Sequence, residues 1–263
     1  MSRHYARLFG ALLTAALMQW AMTGATLAGS FDDATAAADK GDYATALKLF
    51  RALAERGDSG AQYAIGRMYA KGQGVPKDPA AAIKWFDQAN EQSKALQAFN
   101  RSEFATARKT FEPLAEKGQA LAEYILGLMY ANGQGVPESY TEALKWLQKA
   151  AEQGEAKAQF SVGVIYFKGL GMPANQAEAL KWYRRAADQG NAPAQYNLGA
   201  MYARGQTVGQ DIVKAHMLYA LAGDRGIRAA DEAKDKLAKT MSAEQIAEAK
   251  KMAHEWKPKL ETE

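Results

Sequence analysis

The feature that most limits this chain is a stretch that recurs. Residues 122–154 read AEYILGLMYANGQGVPESYTEALKWLQKAAEQG, and residues 158–190, thirty-six further on, read AQFSVGVIYFKGLGMPANQAEALKWYRRAADQG. A weaker copy occupies 194–226, and an earlier one, opening AQYAIGRMYAKGQGVPKDPAAAIKWF, occupies 61–93. A fixed period of this size implies small supersecondary units. None can bury an apolar face alone, so they must stack on one another.

The columns of the repeat fix its local structure. Gly66, Gly127, Gly163 and Gly199 share one position, with Tyr69, Tyr130, Tyr166 and Tyr202 three residues later. Ala122, Tyr124 and Leu126 precede Gly127, and spacings of three and four set such residues on one helix face. Glycine inside a helix costs about 1 kcal/mol relative to alanine. One in every unit predicts a neighbour approaching closely there.

A turn comes next: Gly72-Gln-Gly74-Val-Pro76, Gly133-Gln-Gly135-Val-Pro137 and Gly169-Leu-Gly171-Met-Pro173. Glycine accepts the positive φ that a helix C-cap and a sharp reversal need, and proline cannot continue the first helix. Asp78, Ser139, Asn175 and Asp211 then stand in register as N-caps. Glu142 and Glu178 are placed to complete capping boxes with Ser139 and Asn175. The second helix carries Ala82, Trp85 and Ala89, or Ala143, Trp146 and Ala150, with Trp182 in the same tryptophan column. It stops at a glycine such as Gly154 or Gly190. Each unit is therefore a short antiparallel helix pair with a small-residue seam, and the tryptophan and tyrosine columns are expected in the core.

The pattern A-x-A-Q-Y-x-L-G-x-M-Y-x-x-G-x-G-V-x-x-D/N-x-x-x-A-x-x-W-Y-x-x-A-A-x-x-G resembles the Sel-one-like repeat (SLR), a relative of the tetratricopeptide repeat. The resemblance implies an all-α, right-handed alpha-alpha superhelical solenoid. It also implies a non-enzymatic adaptor or scaffold whose partner is another protein.

In chain order, residues 1–28 have the pattern of a secretory signal. Arg3 and Arg7 form a positive start, Leu8–Met22 is an apolar run, and Thr26-Leu-Ala28 offers small residues for cleavage. An uncleaved anchor is the other reading, but fifteen residues interrupted by Gln19 fall short of the roughly 20 that span a bilayer. Without cysteine there is neither a lipoprotein attachment point nor a disulfide. The expected location is the bacterial periplasm or the outside of the cell. Cleavage after Ala28 removes two arginines and no acid, taking the net charge from +4 to +2. The charges that remain mostly alternate along helices, which argues against a nucleic-acid-binding face.

Residues 29–57 form the N-terminal helices, and 58–93 the first repeat. Residues 94–118 form an irregular connection and a second orphan helix: Glu103–Gly118 repeats Asp42–Gly57 sixty-one residues on. Asn90–Asn100 breaks the 36-residue register, either as a longer connection or as a helix extension; an interdomain linker lacks the expected Pro, Gly and Ser. Residues 119–154 and 155–190 are the second and third repeats. In the fourth, 191–226, Thr207 replaces the second turn glycine, Gly209 the proline and Leu218 the tryptophan. Residues 227–263 supply C-terminal capping helices. Ser242 with Gln245 forms a capping box, Met241 with Ile246 a staple, and Trp256 packs the last helix down before Pro258.

The search for chemistry is negative. His4 leaves with the signal, and His216 and His254 stand alone, so no zinc site is expected. None of the eight serines lies in S-x-x-K or G-x-S-x-G. Gly133-Gln-Gly135-Val lacks the Lys-Ser/Thr of a phosphate loop and follows a helix. No catalytic residue, metal or cofactor is expected. A surface remains. In such arrays the first helices line one face, and Lys71, Asn132, Lys168 and Arg204 lie five residues after the mid-helix glycine. Arg67, Leu128 and Val164 lie one residue after it. These seven form the candidate groove, a basic row beside a partly apolar one, suited to an acidic or mixed peptide segment. The alternatives are a β-lactamase-like cell-wall enzyme and a peptidoglycan binder using exposed aromatics.

Overall fold

The computed structural model of the chain describes residues 31–205 and 207–259. The secretory-signal reading of 1–28 lies outside the described residues. Among the described residues, thirteen α-helices and no strand are present. The first five are α1 (Phe31–Asp39), α2 (Tyr43–Glu55), α3 (Ser59–Lys71), α4 (Pro79–Asn100) and α5 (Phe104–Glu116). Then come α6 (Ala120–Asn132), α7 (Tyr140–Glu152), α8 (Ala156–Lys168), α9 (Gln176–Asp188) and α10 (Ala192–Arg204). The chain ends with α11 (Ile212–Gly223), α12 (Arg228–Ala238) and α13 (Ala243–Glu255). Two compact units divide between Ala143 and Leu144, inside α7. In the first, each helix from α1 to α5 packs on the next in the chain; in the second, each from α8 to α11 does the same, and α13 returns to α11. This is the all-α, solenoid-type repeat fold.

The mid-helix glycines are where the helices of a pair touch. A Cβ at Gly66 would lie 2.6 Å from the Phe86 ring, one at Gly163 2.7 Å from Tyr183, and one at Gly199 3.0 Å from Tyr219. The knob in each seam is therefore the residue after the tryptophan column. Tyr183 is fully buried, whereas Trp85, Trp146 and Trp182 are only half-buried. Helix geometry explains this: consecutive residues differ by about 100° in direction, so the knob takes the seam and the indole turns toward the rim. The rim position draws cations, with Lys149 Nζ 4.4 Å from the Trp146 ring and the Arg185 guanidinium 4.6 Å from Trp182.

Successive hairpins are tied by polar side chains at constant separations. Gln62 donates to the Ala54 carbonyl at 3.3 Å, Gln159 to Ala151 at 3.1 Å and Gln195 to Ala187 at 3.2 Å. Each buried glutamine thus adds a second hydrogen bond to a last-turn carbonyl that already accepts from the backbone N–H of the glycine after the helix. The tyrosine column makes a second tie: Arg51 donates to the Tyr69 hydroxyl, Gln148 to Tyr166 and Arg184 to Tyr202.

The turn matches the sequence reading. Gly72, Gly133, Gly169 and Gly205 end their helices in the left-handed region. Gly74, Gly135 and Gly171 come next with φ from 71° to 74°, and Thr207 holds the same conformation at φ 69°. A Cβ at Gly74 or Gly135 would meet Tyr43 or Phe104 within 3 Å. In the fourth repeat Gln176 stands in that column, and the Thr207 hydroxyl donates to it at 2.8 Å. Asp78, Ser139, Asn175 and Asp211 all accept from first-turn amides. At Asn175 the reciprocal half of the box is replaced, because Glu178 pairs with Lys181.

The break in register is a fusion of helices. Where the other second helices stop at Gly154, Gly190 and Gly226, all with φ near 85°, the first repeat has Ser93. Without that left-handed stop, α4 runs 22 residues to Asn100, so the expected irregular connection over 94–100 is helix. Its last turns pair with α5 as α1 pairs with α2, through the same reversal. Ser102 and Glu103 donate to Phe99 and Ala98 just as Gly41 and Asp42 donate to Ala38 and Ala37. Ser102 holds φ 64° where Gly41 has 78°.

At the C-terminus, the Ser242–Gln245 capping box forms with both bonds. Trp256 packs against Gly190 and lies 5.0 Å from the Arg225 guanidinium. Lys259 N donates to the Asp188 carbonyl at 2.8 Å, which fastens the chain end to α9.

Candidate functional site

Among the described residues no group of three or more His, Cys, Asp or Glu is placed to hold a metal, and no helix is long and apolar enough to cross a membrane. A shallow, open depression of about 420 Å³ along α2 is lined by Ala44, Leu47, Lys48, Arg51, Ala52 and Glu55. It contains neither a histidine nor a hydroxyl nucleophile. His216 is buried on α11, and its Nδ1 has no hydrogen-bond partner. Burial first, then Lys234 and Lys250, hold its imidazole below the ordinary value of 6.5, against a smaller pull from Asp235. This describes a neutral core side chain.

The seven groove candidates fall into two groups. Lys71, Lys168 and Arg204 are exposed at the C-terminal ends of α3, α8 and α10, where a cation also complements the helix dipole. Arg67 is exposed on α3. Asn132 is half-buried and donates back to the Leu128 carbonyl at 2.9 Å, a local cap. Leu128 and Val164 are buried, and this corrects the expected apolar row. In these repeats the position after the glycine is covered by packing, so neither side chain is open to a partner.

Sequence reasoning missed two clusters. In the second unit Tyr202 sits between two cations. Arg184 donates to its hydroxyl at 3.1 Å, and Lys214 Nζ lies 5.7 Å from its ring while pairing with Asp211 at 2.9 Å. The usable signal was the Arg51/Gln148/Arg184 column, eighteen residues before each tyrosine. In the first unit Tyr63 and Ile83 are exposed, and Tyr63 rests against Phe86 with ring centroids 5.0 Å apart. Of their counterparts, Tyr124, Leu144 and Leu180 are buried, and Phe160 and Tyr196 are half-buried. Column identity could not give this difference, because exposure depends on the segment after the repeat.

With the geometry in place, comparisons with known proteins give consistent results. A family model described as Sel1 repeat matches residues 37–58, 59–94, 120–155, 156–191 and 192–227, more than half of the chain. The first match adds a partial copy over α2 to the four units read from the sequence. A Sel1 repeat protein from Oxalobacter formigenes is 29% identical, with a TM-score of 0.53 over 87% of this chain and 100% of its own. The protective antigen c5321 of uropathogenic Escherichia coli, which displays an SLR fold, is 28% identical with a TM-score of 0.52. That match covers 81% of this chain and 49% of the antigen, so the chain spans about half the antigen's length. No curated protein matches the sequence.

Proposed function

The chain belongs to the Sel1 repeat family, and from that premise we propose that it is a non-enzymatic periplasmic adaptor that holds a segment of another envelope protein. The observation carrying this reading is the position shared by Lys168 and Arg204. Each is exposed at the end of a first helix, α8 and α10, in successive repeats of one unit. Arg184 and Lys214 flank Tyr202 in the same unit. The Tyr202 cluster combines an aromatic ring with two cations, a composition favoured at binding hot spots. It suits an extended acidic or mixed segment, with the cations speeding encounter and fixing register. The repeat supplies the scaffold for it. Tyr183 and Tyr219 lock each hairpin, and buried glutamines fasten each hairpin to the last. The periplasmic location is part of the proposal and rests on the residue pattern of 1–28.

The test is in-cell crosslinking through the face of α8 and α10, with identification of the captured protein. Lys168→Glu with Arg204→Glu should weaken capture of that protein and lower the melting temperature by only a few degrees, because both sites are exposed and lose only a helix-end cation. Undiminished capture by the double variant removes this face from the account. Export is tested separately by N-terminal sequencing of the mature protein: a start at Gly29 supports the location, and a retained Met1 contradicts it.

A further inference from the structure

We propose that the first repeat carries an open slot for a short amphipathic helix of a partner protein, formed by Tyr63, Phe86 and Ile83. The inference rests on the protein-binding reading above but concerns a different unit and a different chemistry.

The two rings lie 5.0 Å apart, with Tyr63 54% and Ile83 59% exposed. So much apolar surface is unusual for these columns: Tyr124 is 4% exposed, Leu144 and Leu180 are each 8% exposed, and Phe160 and Tyr196 are half-buried. The cause lies in the fused α4. Because Ser93 fails to stop the helix, the next hairpin begins beyond Asn100, and the face it would have covered is left open.

The fourth repeat shows the kind of element that fits there. Its equivalent ring pair, Tyr196 and Tyr219, has centroids 5.8 Å apart and an interplanar angle of 42°, against 46° for Tyr63 and Phe86. That pair belongs to a cluster completed by Ile227, Ala230, Ala233 and Leu237. These side chains recur at spacings of three and four, one stripe of an amphipathic helix. The occupant of the open slot is thus a helix with small residues in the middle of its stripe and a large aliphatic at its end, seated in the helix-in-groove manner. The rim of the slot carries Arg67, Lys84 and Asp87, all exposed. The occupant's polar side should therefore be mixed in charge, with acids near Arg67 and Lys84.

The probe is a helix-stapled, fluorescein-labelled peptide of residues 227–238, titrated against the full chain by fluorescence anisotropy. Saturable binding is expected, weakened about tenfold or more by Ile83→Asp and also weakened by Tyr63→Ala. Changing the peptide's own Leu237 to Asp should abolish it. Ile83 and Tyr63 are exposed, so both variants fold, and circular dichroism checks this. Lys168→Glu with Arg204→Glu should leave peptide binding unchanged, which separates failure here from failure of the groove reading. Three results each overturn the proposal. One is no binding up to about 1 mM peptide. Another is binding insensitive to Ile83→Asp, which would place the peptide on the fourth repeat. The third is self-association of the chain that Ile83→Asp removes, which would make a second copy the occupant.

Discussion

The first and fourth repeats are built on the same columns and end differently. Both have a glycine facing an aromatic knob, Gly66 under Phe86 and Gly199 under Tyr219. Both set a tyrosine against that knob. In the fourth repeat a hairpin comes at once, α12 covers the pair, and Tyr219 is buried. In the first, α4 runs through the position where a stop was due, and the pair stays open. A repeat of this kind is therefore not a finished object. Its outer face becomes core or surface according to the next thirty or so residues, so similar side chains contribute to stability in one copy and to recognition in another.

This comparison can be broken most forcefully at its covered end. Ala230 is fully buried beneath Tyr219, and Ala230→Asp would place an unpaired carboxylate there. Burying such a group costs several kcal/mol, so the variant should lose the α12 cap and show a much lower urea midpoint. A midpoint within error of the parent would mean that α12 does not cover the pair. Next in size are the knobs. Tyr183→Ala should cost about 3–5 kcal/mol, whereas Phe86→Ala, at a half-buried site, should cost roughly half as much. Trp182→Ala belongs with Phe86 and not with Tyr183, because its indole is half-buried. Equal losses at Tyr183 and Phe86 would erase the distinction between covered and open repeats.

The turns sharpen the same contrast on a smaller scale. Ser102 and Thr207 hold positive φ without being glycine, a conformation that costs an ordinary residue about 1–2 kcal/mol. Ser102→Gly should raise stability by about 1 kcal/mol. Thr207→Gly should gain less, since it gives up the bond to Gln176. A loss of stability in Ser102→Gly would contradict the reversal assigned to that position.

The smallest effect concerns His216, which occupies the column of Ile83, Leu144 and Leu180. Its folded pKa lies below its ordinary 6.5 through burial and then Lys234 and Lys250, with Asp235 opposing. The unfolded chain therefore takes up the proton first on acidification. The stability is fully present above 6.5 and declines as pH falls from there until the folded imidazole also protonates. His216→Leu should flatten the fall in melting temperature between about pH 7 and pH 5. An unchanged slope would show that the imidazole is not held neutral by its surroundings.

Much of this was legible in the sequence because the repeat prints each structural role four times. The helix pairs, the left-handed turns, the N-caps and the close approach at the mid-helix glycine all come from columns. Direction around the helix between adjacent columns could not be read. Trp182 and Tyr183 both recur as aromatic positions, and periodicity alone does not say which enters the seam. The same ambiguity put Leu128 and Val164 in a groove when packing covers them. The buried glutamine column was visible as part of the pattern, but its bond to the preceding hairpin requires knowing where that hairpin ends. Ser93 carried the clearest missed signal. Set against Gly154 and Gly190, it marks the one unit whose second helix has no stop.

Whether a repeat's outer face is core or surface is decided by the hairpin next in the chain. Hydroxyl-radical footprinting of the intact protein, with oxidation rates compared at Tyr63 and Tyr124, measures this directly. The two tyrosines occupy one column, 54% and 4% exposed, so Tyr63 should be modified several-fold faster. Equal protection of the two would mean that the first repeat is covered like the others, and the distinction between open and closed copies would be lost.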